Sequence, residues 1–289
     1  MSPSGIDSSL SPLAALRWLS EAGADEAVAD APVDRFVLGP HRLRVQESAS
    51  VPAPAPRPIS AQRATAGHSA APARVDASED HIGRATELAA ACSTLAELRT
   101  TIESFDGCAL KKHASRIVFA DGTPAQRILF IGEAPGKDED LAGLPFVGRA
   151  GKLLDRMLAA IELDRRTNVY ITNVVNWRPP GNRDPTPEEA ASCLPFLRRH
   201  IDLVAPGIIV LLGAVATRHV MGRREGIMRL RGSWLEYYAG GQMVPVMPTL
   251  HPAYLLRRSI DKRLAWRDLQ AISEKIRALG LLEQSAARS

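Results

Sequence analysis

The sequence predicts a three-layer α/β/α sandwich with a central, mainly parallel four-stranded sheet. Four short apolar runs, each typical of a buried strand, alternate with longer stretches whose apolar residues recur at helical spacing. Parallel strands need crossover connections, so this alternation indicates helices packed on both faces of one sheet. The four runs cover residues 127–132, 169–175, 208–213 and 243–250.

The composition of the 289-residue chain, 45% hydrophobic and 24% charged, is that of a globular protein and excludes a coiled coil, a collagen-like chain or a wholly disordered one. No apolar run reaches the ~18 residues of a membrane span, and the first residues lack a signal-peptide pattern. The odd number of cysteines, three, indicates a reducing compartment, so we expect a cytoplasmic protein. The net charge of +4 permits a polyanionic partner without requiring one.

The chain divides by composition into four parts. Residues 1–46 include apolar positions near helical spacing, which predict a helical arm, and residues 47–79 are rich in Ala and Pro, which predicts a flexible linker. Residues 80–282 have the regular pattern of one globular domain, and residues 283–289 form a tail. The arm either recruits a partner or is an uninvolved extension, and its sequence supports both interpretations.

Within the globular part, helical spacing predicts several helices in order along the chain. A Gly-Gly pair between two apolar stretches predicts a β-hairpin over residues 229–248 at one edge of the sheet. The predicted helices cover residues 80–104, 149–162, 187–204 and 260–279.

Three chemically unusual residues follow or end the predicted strands. Glu133 stands in a Gly- and Pro-rich turn after the first, Asn173 lies at the end of the second, and His251 follows the last. In open parallel sheets ligands bind beyond the carboxyl ends of the strands. A carboxylate, an amide and an imidazole at one edge can combine acid–base chemistry with recognition. Each residue alone is more often structural, but together they predict a site.

Five motifs carry a resemblance to a known family: GEAPG at residues 132–136, PFVG at 145–148, ITN at 171–173, RPPGNR at 178–183 and HPAYL at 251–255. With these motifs in this order, the chain resembles family 4 uracil-DNA glycosylases over about residues 80–280. The resemblance implies a monofunctional enzyme, without lyase activity, that hydrolyses the N-glycosidic bond of a flipped-out deoxyuridine. Its partners would be uracil-containing single- and double-stranded DNA, the abasic product and free uracil, and we expect a monomer.

The resemblance also implies how uracil is recognised. Phe146 would stack on the flipped base, and Asn173 would read its edge, because one amide offers both a donor and an acceptor that suit uracil and not cytosine. Gly136 stands where other uracil-DNA glycosylase families carry a tyrosine that excludes thymine, so Glu139 is a candidate for that exclusion. The positions expected to contact substrate are Gly132, Ala134, Gly136, Glu139, Phe146 and Asn173.

Cleavage builds positive charge on the sugar and negative charge on the departing base. By resemblance, Glu133 would orient water and stabilise the cationic sugar, and His251 would donate a hydrogen bond to uracil O2. Glu139 and Asp140 remain alternatives for the carboxylate that handles water.

The segment after His251 pairs bulky apolar residues with cations, as a wedge that fills the vacated base stack requires. Leu255 is the predicted wedge. The predicted phosphate contacts are Arg149, Arg178, Arg183 and Arg257.

The sequence departs from the family at its iron–sulfur site. Family 4 enzymes hold a four-iron four-sulfur cluster through four cysteines, whereas here only Cys108 and Cys193 match, and Phe105 and Trp177 occupy the other two positions. Two thiolates cannot supply four ligands, so we expect no cluster, no metal and no other cofactor, with aromatic packing in its place. Residues 178–185 also lack the basic insertion and histidine with which a related branch traps its product covalently.

Two other functions compete with this prediction. A non-catalytic or slow protein that binds uracil or abasic sites could use the same fold. A nucleotide-binding enzyme is disfavoured because the turn at residues 132–136 has neither a GxGxxG pattern nor a Walker lysine.

Overall fold

The computed structural model describes residues 77–282. The predicted arm at 1–46, all but the last residues of the predicted linker at 47–79, and the tail at 283–289 lie outside the described residues. Of the helices in the described part, none combines the length and the apolar character needed to cross a membrane.

The centre of the molecule is a mainly parallel sheet, as predicted. Its strand order is β1-β3-β2-β4-β6-β5, and the four inner strands are parallel to one another. Residues along the inner strands β2 to β4 are buried on both faces, which explains why their sequences are continuous apolar runs and do not alternate. The inner strands are β2 (Ile128–Gly132), β3 (Tyr170–Asn173), β4 (Ile208–Leu212) and β6 (Gln242–Thr249).

The sheet has six strands and not the predicted four, because an antiparallel strand is added at each edge. At one edge, β5 (Leu235–Ala239) pairs with β6 as the predicted hairpin. Gly240 (φ +56°) and Gly241 (φ +82°) form its turn, in the left-handed conformation that tight hairpin turns need. At the other edge, β1 (Asp121–Gly122) pairs with β3, and its two residues are too few to show a strand pattern.

Helices cover both faces, which completes the three-layer sandwich. On one face, apolar residues of the sheet such as Leu129 and Ile131 pack against one set of helices. That set is α1 (Ala77–Ala91), α2 (Leu95–Ser104), α5 (Pro187–Val204) and α6 (Ala214–Met221). On the other face, Ile128 and Phe130 pack against a second set. This second set is α4 (Arg149–Ala159), α8 (Pro252–Arg257) and α9 (Lys262–Ala278).

The helix predicted over 80–104 is two helices, which is a correction. The break between the two helices lies at Thr94. Its side chain accepts a hydrogen bond from the Glu97 N–H (3.1 Å) and so caps the start of a new helix, α2. The Glu97 carboxylate in turn accepts from the Ser93 N–H at 2.7 Å. The prediction over 187–204 matches α5 in full.

Several short helical segments escaped prediction because they are too short for apolar residues to recur at helical spacing. Besides α6 and α8 they are α3 (Lys137–Ala142), α7 (Ile227–Leu230) and the 3-10 helices Ala109–Lys112, Pro124–Gln126, Pro180–Asn182 and Ser259–Asp261.

Candidate active site

A cleft of about 540 Å³ lies at the carboxyl edge of the parallel strands. Glu133 follows β2, Asn173 ends β3, Gly213 follows β4 and His251 follows β6, and all four line the cleft. The sheet therefore brings together the carboxylate, amide and imidazole that the sequence placed at separate strand ends. Phe146, from the loop between α3 and α4, forms part of the same wall.

Glycine at position 132 allows the aromatic ring and the amide to meet. A Cβ atom on Gly132 would lie 2.5 Å from both Asn173 Oδ1 and Phe146 Cζ, so a larger residue would displace one of them. Gly151, in the first turn of α4, plays a similar part, because a Cβ there would come within 1.7 Å of the Phe146 carbonyl oxygen. These two glycines leave the space that Phe146 occupies.

Asn173 is almost fully buried, with 2% of the residue exposed. Its Oδ1 atom is buried and has no hydrogen-bond partner in the described part of the chain. A buried acceptor without a partner is costly and is normally satisfied by protein or ligand. Since Asn173 lines the cleft, the atom is suited to accept a hydrogen bond from a bound planar ligand.

His251 is held in one orientation by the start of α8. Its Nδ1 atom accepts a hydrogen bond from the Ala253 N–H at 3.1 Å, which leaves Nε2 as the atom that carries the proton. Burial, assisted by the charge of Arg257, lowers the pKa of His251 to about 4. The imidazole is therefore neutral near pH 7, with a donor available next to Phe146, whose ring centre is 5.5 Å away.

Glu133 is only partly buried, yet its acidity is strongly altered. Burial, and then the neighbouring carboxylate of Asp184, raise the pKa of Glu133 to about 7, while Arg218 opposes the shift. A carboxyl group with a pKa near neutrality can exchange protons under physiological conditions, which is the property of a general base.

The Glu139 carboxylate is engaged with the backbone of two loops. Oε2 accepts from the Gly136 N–H (3.1 Å), and Oε1 accepts from the Val147 N–H (3.0 Å) and the Gly148 N–H (2.9 Å). Glu139 thus ties the turn after β2 to the loop that carries Phe146, while it also lines the cleft.

Asp140 is 3% exposed and is not part of the cleft lining. Its Oδ1 atom accepts from the N–H groups of Ser115 (2.8 Å) and Arg116 (3.2 Å). Glu139 and Asp140, the two alternatives to Glu133, are thus both committed to backbone N–H groups.

The family model for the uracil DNA glycosylase superfamily matches residues 119–270, which contain every cleft residue described above. The chain belongs to the uracil-DNA glycosylase superfamily. It is 40% identical over 182 residues to the Type-4 uracil-DNA glycosylase of Thermotoga maritima, a match that covers 62% of this chain and 93% of the relative. It is 44% identical over 185 residues to the Type-4 uracil-DNA glycosylase of Archaeoglobus fulgidus, covering 63% and 92%. These matches confirm the resemblance seen in the motifs.

The prediction that Leu255 is the wedge that fills the vacated base stack is wrong. Leu255 is 1% exposed and packs into the core from the inner side of α8, so it is not available to enter a base stack. The helical turn that begins at Pro252 directs position 255 inward and position 256 outward. Leu256 is accordingly 38% exposed.

Of the four arginines predicted to contact phosphate, two line the cleft and two do not. Arg257 is exposed and lines the cleft, as does Arg183. The Arg183 guanidinium also makes a two-pronged ion pair with Glu189 (2.8 and 2.6 Å), which offsets its charge. Arg149 is exposed at the start of α4 and Arg178 is half-buried, and neither belongs to the cleft lining.

The positions that carry cluster cysteines in family 4 enzymes lie together in one core. Cys108 and Cys193 have their sulfur atoms 3.9 Å apart, and Phe105 and Trp177 are 3% and 2% exposed in the same apolar cluster. Phe105 packs edge-on against Phe196, with ring centres 5.0 Å apart. Within residues 77–282, no group of three or more potential ligand side chains is placed to hold a metal ion. Two thiols flanked by aromatic rings do not fit a four-thiolate cluster.

Sequence reasoning missed Asp184 and Tyr254 as residues of the cleft wall. Tyr254 lies within the HPAYL motif and Asp184 directly follows the RPPGNR motif, so their positions in the sequence could have identified them as candidates. What the sequence could not show is that the loop after β3 brings the Asp184 carboxylate to Glu133.

Proposed function

We propose that this chain is a uracil-DNA glycosylase that hydrolyses the N-glycosidic bond of flipped-out deoxyuridine, leaves an abasic site and so begins base-excision repair. The observation that carries the proposal is the buried Oδ1 atom of Asn173, which lies beside the ring of Phe146 and has no hydrogen-bond partner within residues 77–282. An acceptor next to an aromatic wall suits the N3–H group of a stacked uracil, and the amide NH2 suits its O4 atom. Family membership supports the same conclusion.

The chemistry follows from the two ionisable groups. Ionised Glu133 would orient the attacking water and stabilise positive charge on the deoxyribose. Neutral His251 would donate from Nε2 to uracil O2 as negative charge develops there. Both contributions grow as the bond breaks, so they lower the barrier and do not merely bind the substrate.

The proposal extends to the type of glycosylase, its cofactor and the roles of the parts of the chain. A glycosylase with lyase activity needs an amine to form a Schiff base, and the described lining of the cleft contains no lysine, which favours a monofunctional enzyme. We further propose that the enzyme works without an iron–sulfur cluster, as a monomer, in the cytoplasm. Residues 80–282 would be the catalytic domain, and the N-terminal arm would recruit a repair partner.

The test is single-turnover release of uracil from labelled single-stranded and duplex oligonucleotides, with a metal chelator present throughout. We expect release by the wild type and a loss on the order of 100-fold or more in Glu133→Ala and His251→Ala. Glu274→Ala, which removes an exposed carboxylate on α9, is the matched control and should leave the rate unchanged.

Asn173→Asp tests recognition in the same assay. An aspartate replaces the NH2 donor by an acceptor, so uracil excision should be lost or cytosine should be admitted. Unchanged activity and selectivity would contradict the role of Asn173. A wild type that retains uracil or abasic DNA in a gel shift but releases no base would favour the non-catalytic binding protein.

A further inference from the structure

The backbone at Phe146 is in an unusual conformation. Its φ angle is +55°, in the left-handed region that large L side chains seldom occupy. Such a conformation persists only when the surroundings hold it, and it is frequent where a side chain must be presented in one orientation. The groups that hold this loop are therefore of functional interest.

Arg165 contacts the loop from behind the cleft. It lies in the turn between α4 and β3, and its side chain is only 14% exposed. Nη1 donates a hydrogen bond to the Pro145 carbonyl oxygen at 3.1 Å, and Nη2 donates to the Phe146 carbonyl oxygen at 2.7 Å. Two consecutive peptide carbonyls are thus held by one planar guanidinium, a geometry that a lysine cannot reproduce.

Two carboxylates fix the guanidinium in turn. Arg165 Nη1 contacts Asp121 Oδ2 at 3.0 Å, and Nε contacts Asp155 Oδ1 at 2.7 Å. Asp121 comes from β1 and Asp155 from α4, so two separate elements converge on one side chain. The arginine does not belong to the cleft lining, so its route to the cleft is through the loop.

The short strand β1 packs against the turn that carries Arg165. Gly122 has a φ angle of +97°, and a Cβ atom there would lie 2.7 Å from the Arg165 carbonyl oxygen and 2.1 Å from that of Val169. The strand therefore packs directly against the backbone of the Arg165 turn and delivers Asp121 to the guanidinium. Both the backbone and the side chain of Arg165 are constrained.

We propose that Arg165 is a positioning residue for uracil excision, which holds the carbonyl groups of Pro145 and Phe146 and so keeps the Phe146 ring beside Asn173 at the cleft wall. This role rests on the proposed glycosylase function. Arg165 would touch neither the base nor the water, and its effect would pass entirely through Phe146.

The first test is kinetic. In single-turnover excision, Arg165→Met should slow uracil release on the order of 10- to 100-fold, Arg165→Lys should lie between it and the wild type, and the DNA dissociation constant should stay unchanged. Arg277→Met, which removes an exposed ion pair with Glu162, is the control and should match the wild type.

In a Phe146→Ala background, Arg165→Met should change the rate by less than about twofold. Losses that multiply in the double variant would overturn the proposal.

The second test needs no activity. The protein contains six phenylalanines, so incorporation of fluorophenylalanine gives a fluorine spectrum in which the Phe146 signal is the one lost in Phe146→Tyr. Arg165→Met should shift or broaden this signal, and Arg277→Met should not. An unchanged signal would overturn the positioning role. If the wild type releases no uracil while the signal moves, the glycosylase proposal fails and the positioning of Phe146 stands.

If Arg165→Met does not fold, Asp155→Asn provides a milder change, because it removes one of the two carboxylates that orient the guanidinium and leaves the arginine in place. It should produce the same changes in rate and fluorine signal at smaller size, and no change in either would overturn the proposal.

Discussion

At the scale of single residues, the acid–base state of the cleft determines how activity depends on pH. In the proposed mechanism Glu133 must be ionised to orient water, and burial followed by the Asp184 carboxylate raises its pKa to about 7. The single-turnover rate should therefore rise with pH up to about 7 and level off above it. His251, with a pKa of about 4, stays neutral across this range and adds no second transition.

Asp184→Asn separates the two causes of the shift. Removing the Asp184 charge should lower the pKa of Glu133, so the midpoint of the pH–rate profile should move to lower pH, while the contribution of burial remains. Glu188→Gln removes an exposed carboxylate four positions further along the chain and should leave the midpoint in place. A midpoint that is identical in wild type and Asp184→Asn would contradict the coupling. Rates measured at closely spaced pH values decide between these outcomes.

The raised pKa of Glu133 also makes the stability of the folded protein depend on pH. A folded-state pKa above the ordinary glutamate value means that folded protein binds a proton which the unfolded chain has released. The contribution of Glu133 therefore favours the folded state at low pH and is lost as pH rises through about 7.

The sequence located Glu133, Asn173 and His251 because each stands at a strand end, and a parallel sheet places such ends together. Phe146 was found only through the family motif. The partnership of Glu133 with Asp184 and the double attachment of Glu139 depend on how loops from different strands approach each other, which spacing along the chain does not encode.

At the scale of elements, α8 presents two adjacent leucines to different surroundings, which makes a matched pair of substitutions. Leu255 is buried, so Leu255→Ala should lower the free energy of unfolding by about 2–5 kcal/mol and leave the excision rate of the folded enzyme near that of wild type. Leu256 is exposed, so Leu256→Ala should change stability by less than about 0.5 kcal/mol.

Leu256 lies on the helix that follows His251, and an exposed apolar residue there can replace a flipped base in the stack. Only duplex DNA has a stack to refill, so Leu256→Ala should slow excision from duplex more than from single-stranded substrate. Equal slowing on both substrates, or none, would exclude Leu256 as the wedge. Denaturant unfolding and paired excision assays supply the measurements.

Prediction succeeded for elements long enough to show a period. The 18-residue helix α5 was predicted over its full range because its apolar residues recur over several turns, and the structure shows that Thr186 caps its start. The helix over 80–104 was predicted as continuous because the cap at Thr94 interrupts it without a proline or glycine. Strand β1 has two residues and exists through its contacts with β3 and the Arg165 turn, which lie far from it in sequence.

At the scale of the whole molecule, the two faces of the sheet carry separate apolar cores. The core that includes Cys108 and Cys193 also joins α1 and α2 to α5. In a protein with a cluster, metal–thiolate bonds would link such segments. Here Phe105 and Trp177 occupy that core, and in the proposed cluster-free enzyme hydrophobic packing would supply the same link.

The stability of the protein should therefore depend on these aromatic side chains and not on iron. Purified protein should show no broad absorption near ~400 nm, and neither a chelator nor a reductant should change its melting temperature. Trp177→Ala should lower the free energy of unfolding by about 3–5 kcal/mol, because it leaves a cavity in a close-packed core. Trp266→Ala, which truncates a tryptophan that is 43% exposed, is the control and should cost much less. Stoichiometric iron, or a melting temperature that falls when iron is removed, would show that other ligands complete a metal site around Cys108 and Cys193.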